Sequence, residues 1–169
     1  MTYLFFEKWE GKMTKLLKLL CEDARLSLEQ LADMTGMTTE EVASEMQRME
    51  DDGTILGYRA VVDWDKADSD MVESYIDLKI APKRNFGYDE FAELVSQMPE
   101  VKSCCLMSGG SDISLVVQGK DFKEIALFVG RRLAPMESVI STATRFVLKT
   151  YKKQGRIIAG ENRDERETF

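Results

Sequence analysis

Two helix-forming segments lie almost end to end between Ser27 and Gly53, and this constrains the front of the chain more than any other feature. In SLEQLADMTG, Ser27 and Gln30 fit a capping box, Leu28, Leu31 and Ala32 form the apolar side, and Gly36 is the stop. Only Met37 and Thr38 separate it from the next segment, where Thr38 or Thr39 can cap and Glu40 and Glu41 suit the first turn. Val42, Met46 and Met49 then recur at helical spacing and predict a buried stripe. Upstream, Leu16, Leu17, Leu19, Leu20 and Cys21 predict an earlier helix. Gly53 ends the third, and TILGYRAVVD reads as two short strands turning near Gly57. Three helices and a small hairpin predict a winged helix-turn-helix over residues 13–62.

The polar stretch DWDKADSD, residues 63–70, is the natural linker. Beyond it, residues 71–158 alternate strand and helix signals in the order β-α-β-β-α-β, which predicts a ferredoxin-like unit and an α+β chain overall. The apolar side of the first helix there is Tyr88, Phe91, Leu94 and Val95, and SVISTATRFVLKTYKK reads as one long final strand. Helices cover one side of such a sheet; the other needs a partner, most simply a second copy. Residues 1–12 crowd aromatics into YLFFEKW. They are either an arm packing on a partner subunit or a mis-assigned start. The codons of Trp9-Glu10-Gly11-Lys12 can spell a purine-rich ribosome-binding stretch ahead of Met13. Residues 159–169 form a charged tail.

Composition removes several function classes. The chain has no histidine, the commonest acid/base group near neutral pH and the commonest metal ligand. Its three cysteines, Cys21, Cys104 and Cys105, form no CxxC pair. Neither a Ser/His/Asp arrangement nor a phosphate-binding glycine loop occurs, so no catalytic or metal-binding residues and no cofactor are expected. No apolar run reaches about 18 residues, and nothing resembles an export signal, so a cytoplasmic protein without a membrane span is expected. Cys21 is read as core, and adjacent Cys104 and Cys105 as facing opposite sides of a strand. The net charge of -7 is uneven: residues 1–60 hold 7 bases and 12 acids, whereas residues 71–158 hold 13 bases and 10 acids. From Thr38 to Asp52 there are six carboxylates and one base, Arg48. A strong non-specific grip on nucleic acid needs clustered bases, so DNA contact must come from a few placed groups or from oligomer avidity.

The ordered motifs DARLSLEQLADMTGMT, EDDGTILGYRAVVD, MPEVKSCCLMSGGSD and STATRFVL together resemble the Lrp/AsnC family of transcription regulators. The resemblance implies a non-catalytic, amino-acid-responsive regulator of double-stranded DNA. It implies dimers through the C-terminal sheets, higher oligomers, and effectors near the glycine-rich turn of the second domain. Two positions depart from the family pattern: Glu45 stands where a base is common, and Ser138 where glycine is frequent. Tetrapyrrole decarboxylases of similar fold rely on histidine, which this chain lacks.

Candidate DNA contacts are Thr38, Thr39, Ser44, Gln47 and Arg48 on the third helix, and Lys15, Lys18, Arg25 and Arg59 around it. Hydroxyls and helix N-termini meet phosphates, and Gln or Arg reads base edges. Each is equally consistent with an ordinary solvated surface. Glu40, Glu41 and Glu45 either cap and solvate the helix or reject most DNA sequences. Candidate effector residues are Met107, Gly109, Gly110, Ser111, Asp112, Thr142 and Thr144. A Gly-Gly turn frees amides for an anion such as an amino-acid carboxylate, but also simply joins two strands. Met98, Met107 and Met136 suit either a pocket for an apolar side chain or core packing. The alternatives to a regulator are a family member that senses metabolites with weak or lost DNA binding and, more distantly, an enzyme on the same fold.

Overall fold

The computed structural model describes residues 11–64, 66–67, 71–83 and 86–158, and it divides after Ala60 into two compact units. The expected arm, apart from Gly11 and Lys12, lies outside the described residues, as do much of the linker and the charged tail.

The front unit holds three helices, α1 (Lys12–Glu22), α2 (Leu28–Thr35) and α3 (Thr39–Asp51). Leu16 and Leu20 of α1 are buried with Leu31, Ala32, Val42 and Met49, and Met46 packs against them. Cys21, expected in this core, is exposed. Leu16 and Leu20 take the inner line of α1, and the residue after Leu20 turns about 100° away from it. Ser27 caps α2: its Oγ accepts from the Gln30 amide at 3.2 Å, and the Gln30 Oε1 accepts from the Ser27 amide at 2.9 Å. Gly36 takes φ 68°, a left-handed conformation that lets the chain reverse direction within three residues. Thr38, not Thr39, is the cap of α3, with Glu41 reaching back to the Thr38 amide at 2.9 Å. The helix-turn-helix is therefore built from local bonds that the sequence spells out.

The wing strands are not formed. Residues 54–63 run without strand pairing. Ile55 packs on the front core, and its amide donates to the Met49 carbonyl at 2.8 Å. Tyr58 donates to Glu50 at 2.8 Å, and burial followed by that carboxylate pushes its phenol up to about 12. A two-stranded ribbon is marginal without a surface to pack on, and Leu56 at its tip is 95% exposed.

The back unit is a four-stranded antiparallel sheet of β1 (Val72–Ile80), β2 (Val101–Leu106), β3 (Ile113–Gly119) and β4 (Val139–Phe146), in the order β2-β3-β1-β4. Helices α4 (Tyr88–Ser96) and α5 (Phe122–Phe128) supply Phe91, Val95, Ile125 and Phe128 to the core under it. With the elements in β-α-β-β-α-β sequence, this is the expected ferredoxin-like unit. Ile76, Leu78 and Ile80 of β1 and Ile113, Leu115 and Val117 of β3 point to the helices, as alternation requires. Tyr75, Asp77, Lys79, Ser114 and Val116 occupy the opposite, open face, the side predicted to need a partner. Met98 and Met136 pack on the core, while Met107 is exposed. Leu94 is also exposed, because Phe91 and Val95 already fill the inner line of α4. Cys104 is half-buried toward α4 and Cys105 exposed, so the pair splits across the strand as read.

Two details depart from the expected pattern. After α5 the chain winds into a π-helical turn, Val129–Leu133, closed by the Ala134 amide on the Val129 carbonyl at 2.8 Å. The final strand is shorter than read: β4 ends at Phe146, and a hairpin of β5 (Lys152–Lys153) and β6 (Arg156–Ile157) follows. Gln154 and Gly155 both take positive φ, 44° and 80°, the geometry of a tight hairpin turn. Among the described residues no helix is long and apolar enough to cross a membrane.

Candidate nucleic-acid interface and effector turn

With Val42 and Met49 inward, helical geometry turns Glu40, Ser44, Gln47 and Asp51 outward, with Ala43 and Arg48 on the flanks. All six are exposed. Two of the candidate DNA contacts on this helix, Gln47 and Arg48, are already engaged within the chain. Arg48 makes a forked contact with Glu45, at 2.7 and 3.1 Å, and a third bond to Asp52 at 2.7 Å. The Gln47 amide donates to Asp51 at 2.9 Å, leaving its oxygen as the open acceptor.

The electrostatics follow from these bonds. The Arg48 hydrogen bond holds the Glu45 carboxyl below the usual range, and Glu45 in turn raises Arg48. Asp52 is lowered first by Thr54, whose amide donates to it at 2.9 Å, and then by Arg48. Glu40 is lowered by its own backbone amide and by the Thr38 and Thr39 hydroxyls. Thr39 donates to Glu40 at 3.2 Å, so the start of α3 is acidic and internally satisfied.

The remaining candidate bases are exposed: Lys15 and Lys18 on α1, Arg25 in the following turn and Arg59 beyond α3. None makes an ion pair with a carboxylate among the described residues. The Arg25 amide is held by Asp23 at 2.9 Å.

The glycine-rich turn joins β2 to β3. Gly109 takes φ 136°, which a side chain rarely tolerates. Ser108, Gly109 and Gly110 are exposed, and among the described residues no acceptor meets the amides from Ser108 to Ser111. Asp112 is a structural residue of the sheet. Its Oδ2 accepts from the Ile80 amide at 2.8 Å, and its own amide donates to the Leu78 carbonyl at 2.9 Å. One side chain thereby adds a rung to the β1–β3 ladder beyond the last strand pair, Leu78 with Ile113. Thr142 and Thr144 share a face, as alternation predicts. They stand opposite Leu78 and Ile76 on the helix side, separated from the turn's own strand by β1. A single chain therefore brings Met107 to Asp112 together but not the two threonines with them.

Residues 14–50 match the AsnC-type helix-turn-helix domain, and residues 73–157 match the Lrp/AsnC ligand binding domain. The chain belongs to the Lrp/AsnC family. It is 39% identical over 160 residues to the HTH-type transcriptional regulator YugG of Bacillus subtilis, covering 94% of this chain and 96% of that one. It is 30% identical over 141 residues to a proline dehydrogenase transcriptional activator of Rhizobium radiobacter, covering 83% and 90%. A solved AsnC family transcriptional regulator from Agrobacterium tumefaciens is 28% identical with a TM-score of 0.67, covering 86% and 94%. At the level of the Lrp/AsnC family, the function is that of a DNA-binding transcriptional regulator, and these relatives are regulators rather than enzymes.

Two working contacts of this Lrp/AsnC chain escape a motif reading. The clamp on Arg48 is foreshadowed by its i-3 and i+4 carboxylates, Glu45 and Asp52. The Asp112 bond to Ile80 spans 32 residues and has no local signal.

Proposed function

We propose that this regulator reads double-stranded DNA through α3, as a cytoplasmic dimer or higher oligomer joined by the open sheet faces. A small amino acid held near the turn from Met107 to Asp112 would bias the assembly. Residues 13–62 are the reading domain in this view, 63–70 the linker and 71–158 the effector and dimerisation domain. The observation that carries it is the capped α3, set by the Gly36 turn against α2 with Ser44 and Gln47 outward and Arg48 beside them. Thr38 and Thr39 stand at its start, where a phosphate can replace Glu40 as the acceptor of their hydroxyl protons. Lys15, Lys18, Arg25 and Arg59 supply further phosphate contacts. Exposed helical ion pairs are weak, so a phosphate can replace Glu45 and Asp52 at Arg48.

For the effector, the solvent-facing amides from Ser108 to Ser111 suit a carboxylate, and the Oδ1 of Asp112 is left for an ammonium group. Gly109 and Gly110 allow close approach, and Met107 offers an apolar contact. Thr142 and Thr144 would act only through a second subunit or a shift of the sheet. The Rhizobium relative, named for activating proline dehydrogenase, supports an amino-acid signal.

The acidic face of α3 favours one competing reading, an oligomeric metabolite sensor that no longer holds DNA. Binding to DNA from the region upstream of its own gene separates the two, measured at low and moderate salt with and without pooled amino acids. Glu45→Gln should tighten binding a few-fold, and Arg48→Gln should weaken it by a similar factor. A well-folded oligomer without DNA affinity under all these conditions would overturn the regulator reading in favour of the sensor.

A further inference from the structure

The bases of the back unit are distributed in a way that the reading domain does not explain. From Ser138 to Gly160 there is no acidic residue, yet Arg145, Lys149, Lys152, Lys153 and Arg156 fall inside that stretch. Elsewhere in the unit, several bases are matched: Lys83 pairs with Glu137, and Arg132 grips Glu100 at 2.7 Å while lying over Phe128. Lys120 and Lys123 alternate with Asp121 and Glu124.

The basic stretch divides into an anchor and a display. Arg145 pairs with Asp77, and Lys153 pairs with Glu73 at 3.2 Å, which ties the end of β4 and the turn end of the hairpin to β1. Lys149, Lys152 and Arg156 are exposed, and neither lysine meets a carboxylate among the described residues. Lys149 lies 5.1 Å from the ring centroid of Tyr151, itself 70% exposed, so a cation and an aromatic face are presented together. Gln154 and Gly155 form the turn, which sets Arg156 across from Lys153 and leaves Lys152 on the other face of the ribbon.

We infer that the β5–β6 hairpin, with Lys149 ahead of it, is a second DNA contact that grips the phosphate backbone without reading sequence. Residues 1–60, with 7 bases against 12 acids, have little non-specific attraction of their own, and the exposed Lys149 with Lys152 and Arg156 of the hairpin would supply it. Tyr151 would pack against the sugar-phosphate edge. The inference rests on the DNA-binding reading above.

The test uses full-length protein carrying Lys149→Gln, Lys152→Gln and Arg156→Gln together. DNA affinity is measured as a function of salt, and light scattering reports the assembly. Each lost phosphate contact removes about 0.9 from the slope of log affinity against log salt, so the slope should become shallower by about 2 to 3. Affinity near 0.1 M salt should fall about tenfold or more. The charge-conserving set Lys149→Arg, Lys152→Arg and Arg156→Lys should keep the wild-type slope. The set Lys120→Gln, Lys123→Gln and Arg131→Gln, equal in charge but off the hairpin, should change it far less. An unchanged slope in the hairpin variant, an equal loss in the off-hairpin set, or weakened binding explained by a smaller particle would overturn the inference and leave the reading helix intact. Wild-type protein that binds no DNA at any salt would instead overturn the underlying function.

Discussion

Removing the Asp112 carboxylate should loosen the back unit by an amount that its hydrogen bonds set. In Asp112→Ala, the Ile80 amide loses an acceptor 2.8 Å away, in a residue that is 3% exposed. Hydrogen bonds to charged groups contribute roughly 1.5 to 3 kcal/mol. Asp112 itself is only half-buried, so water relieves part of the loss and the lower end applies, about 1.5 to 2 kcal/mol. For a unit near the size of a small domain that is about 6–10 °C in melting temperature. Asp112→Asn keeps an oxygen for the Ile80 amide and should cost less than half as much. Thermal unfolding gives the stability, and amide hydrogen exchange at Ile80 gives the local cause. The amide should exchange faster in Asp112→Ala and stay protected in Asp112→Asn. If the two variants unfold alike, or Asp112→Ala costs under about 0.5 kcal/mol, the carboxylate is not a rung of the sheet. The pair then serves the effector question: Asp112→Asn, folded but uncharged, should lose affinity for an amino acid whose ammonium group it holds.

Two further outcomes follow from the front unit. Met49 is fully buried beneath α3, so Met49→Ala should cost about 2–5 kcal/mol. That loss should abolish DNA binding while light scattering still reports the wild-type assembly; full retention of DNA affinity would contradict the packing described. The acid response has a definite sign. Glu40 and Glu45 are held below the ordinary carboxylate value of 4.5, and Asp52 below 3.8, so their stabilising bonds are complete above those values and drain away as pH falls through the lowered ones. Helicity should be flat from about pH 6 to 8, since no histidine is present, and should decline as these carboxylates protonate. A transition near neutral pH in circular dichroism would contradict this.

The sequence by itself determined the parts held together over three or four residues. Ser27 with Gln30, and Thr38 with Glu41, are bonds between near neighbours, so the helix starts were legible, and Gly36 marked the reversal between α2 and α3. Alternation likewise put the adjacent Cys104 and Cys105 on opposite sides of β2, because the period is a property of the extended chain. The tertiary structure decided what depends on partners far away in the chain. It left residues 54–63 without a ladder, since a lone ribbon lacks a surface to fold against, and it turned Cys21 and Leu94 outward because neighbours had already filled the inner lines. It gave Asp112 to Ile80, put Thr142 and Thr144 across β1 from the turn, and ended β4 early to raise a basic hairpin. A capping bond is fixed by spacing along the chain, whereas a strand's neighbours and a carboxylate's distant donor are fixed only when the whole sheet closes.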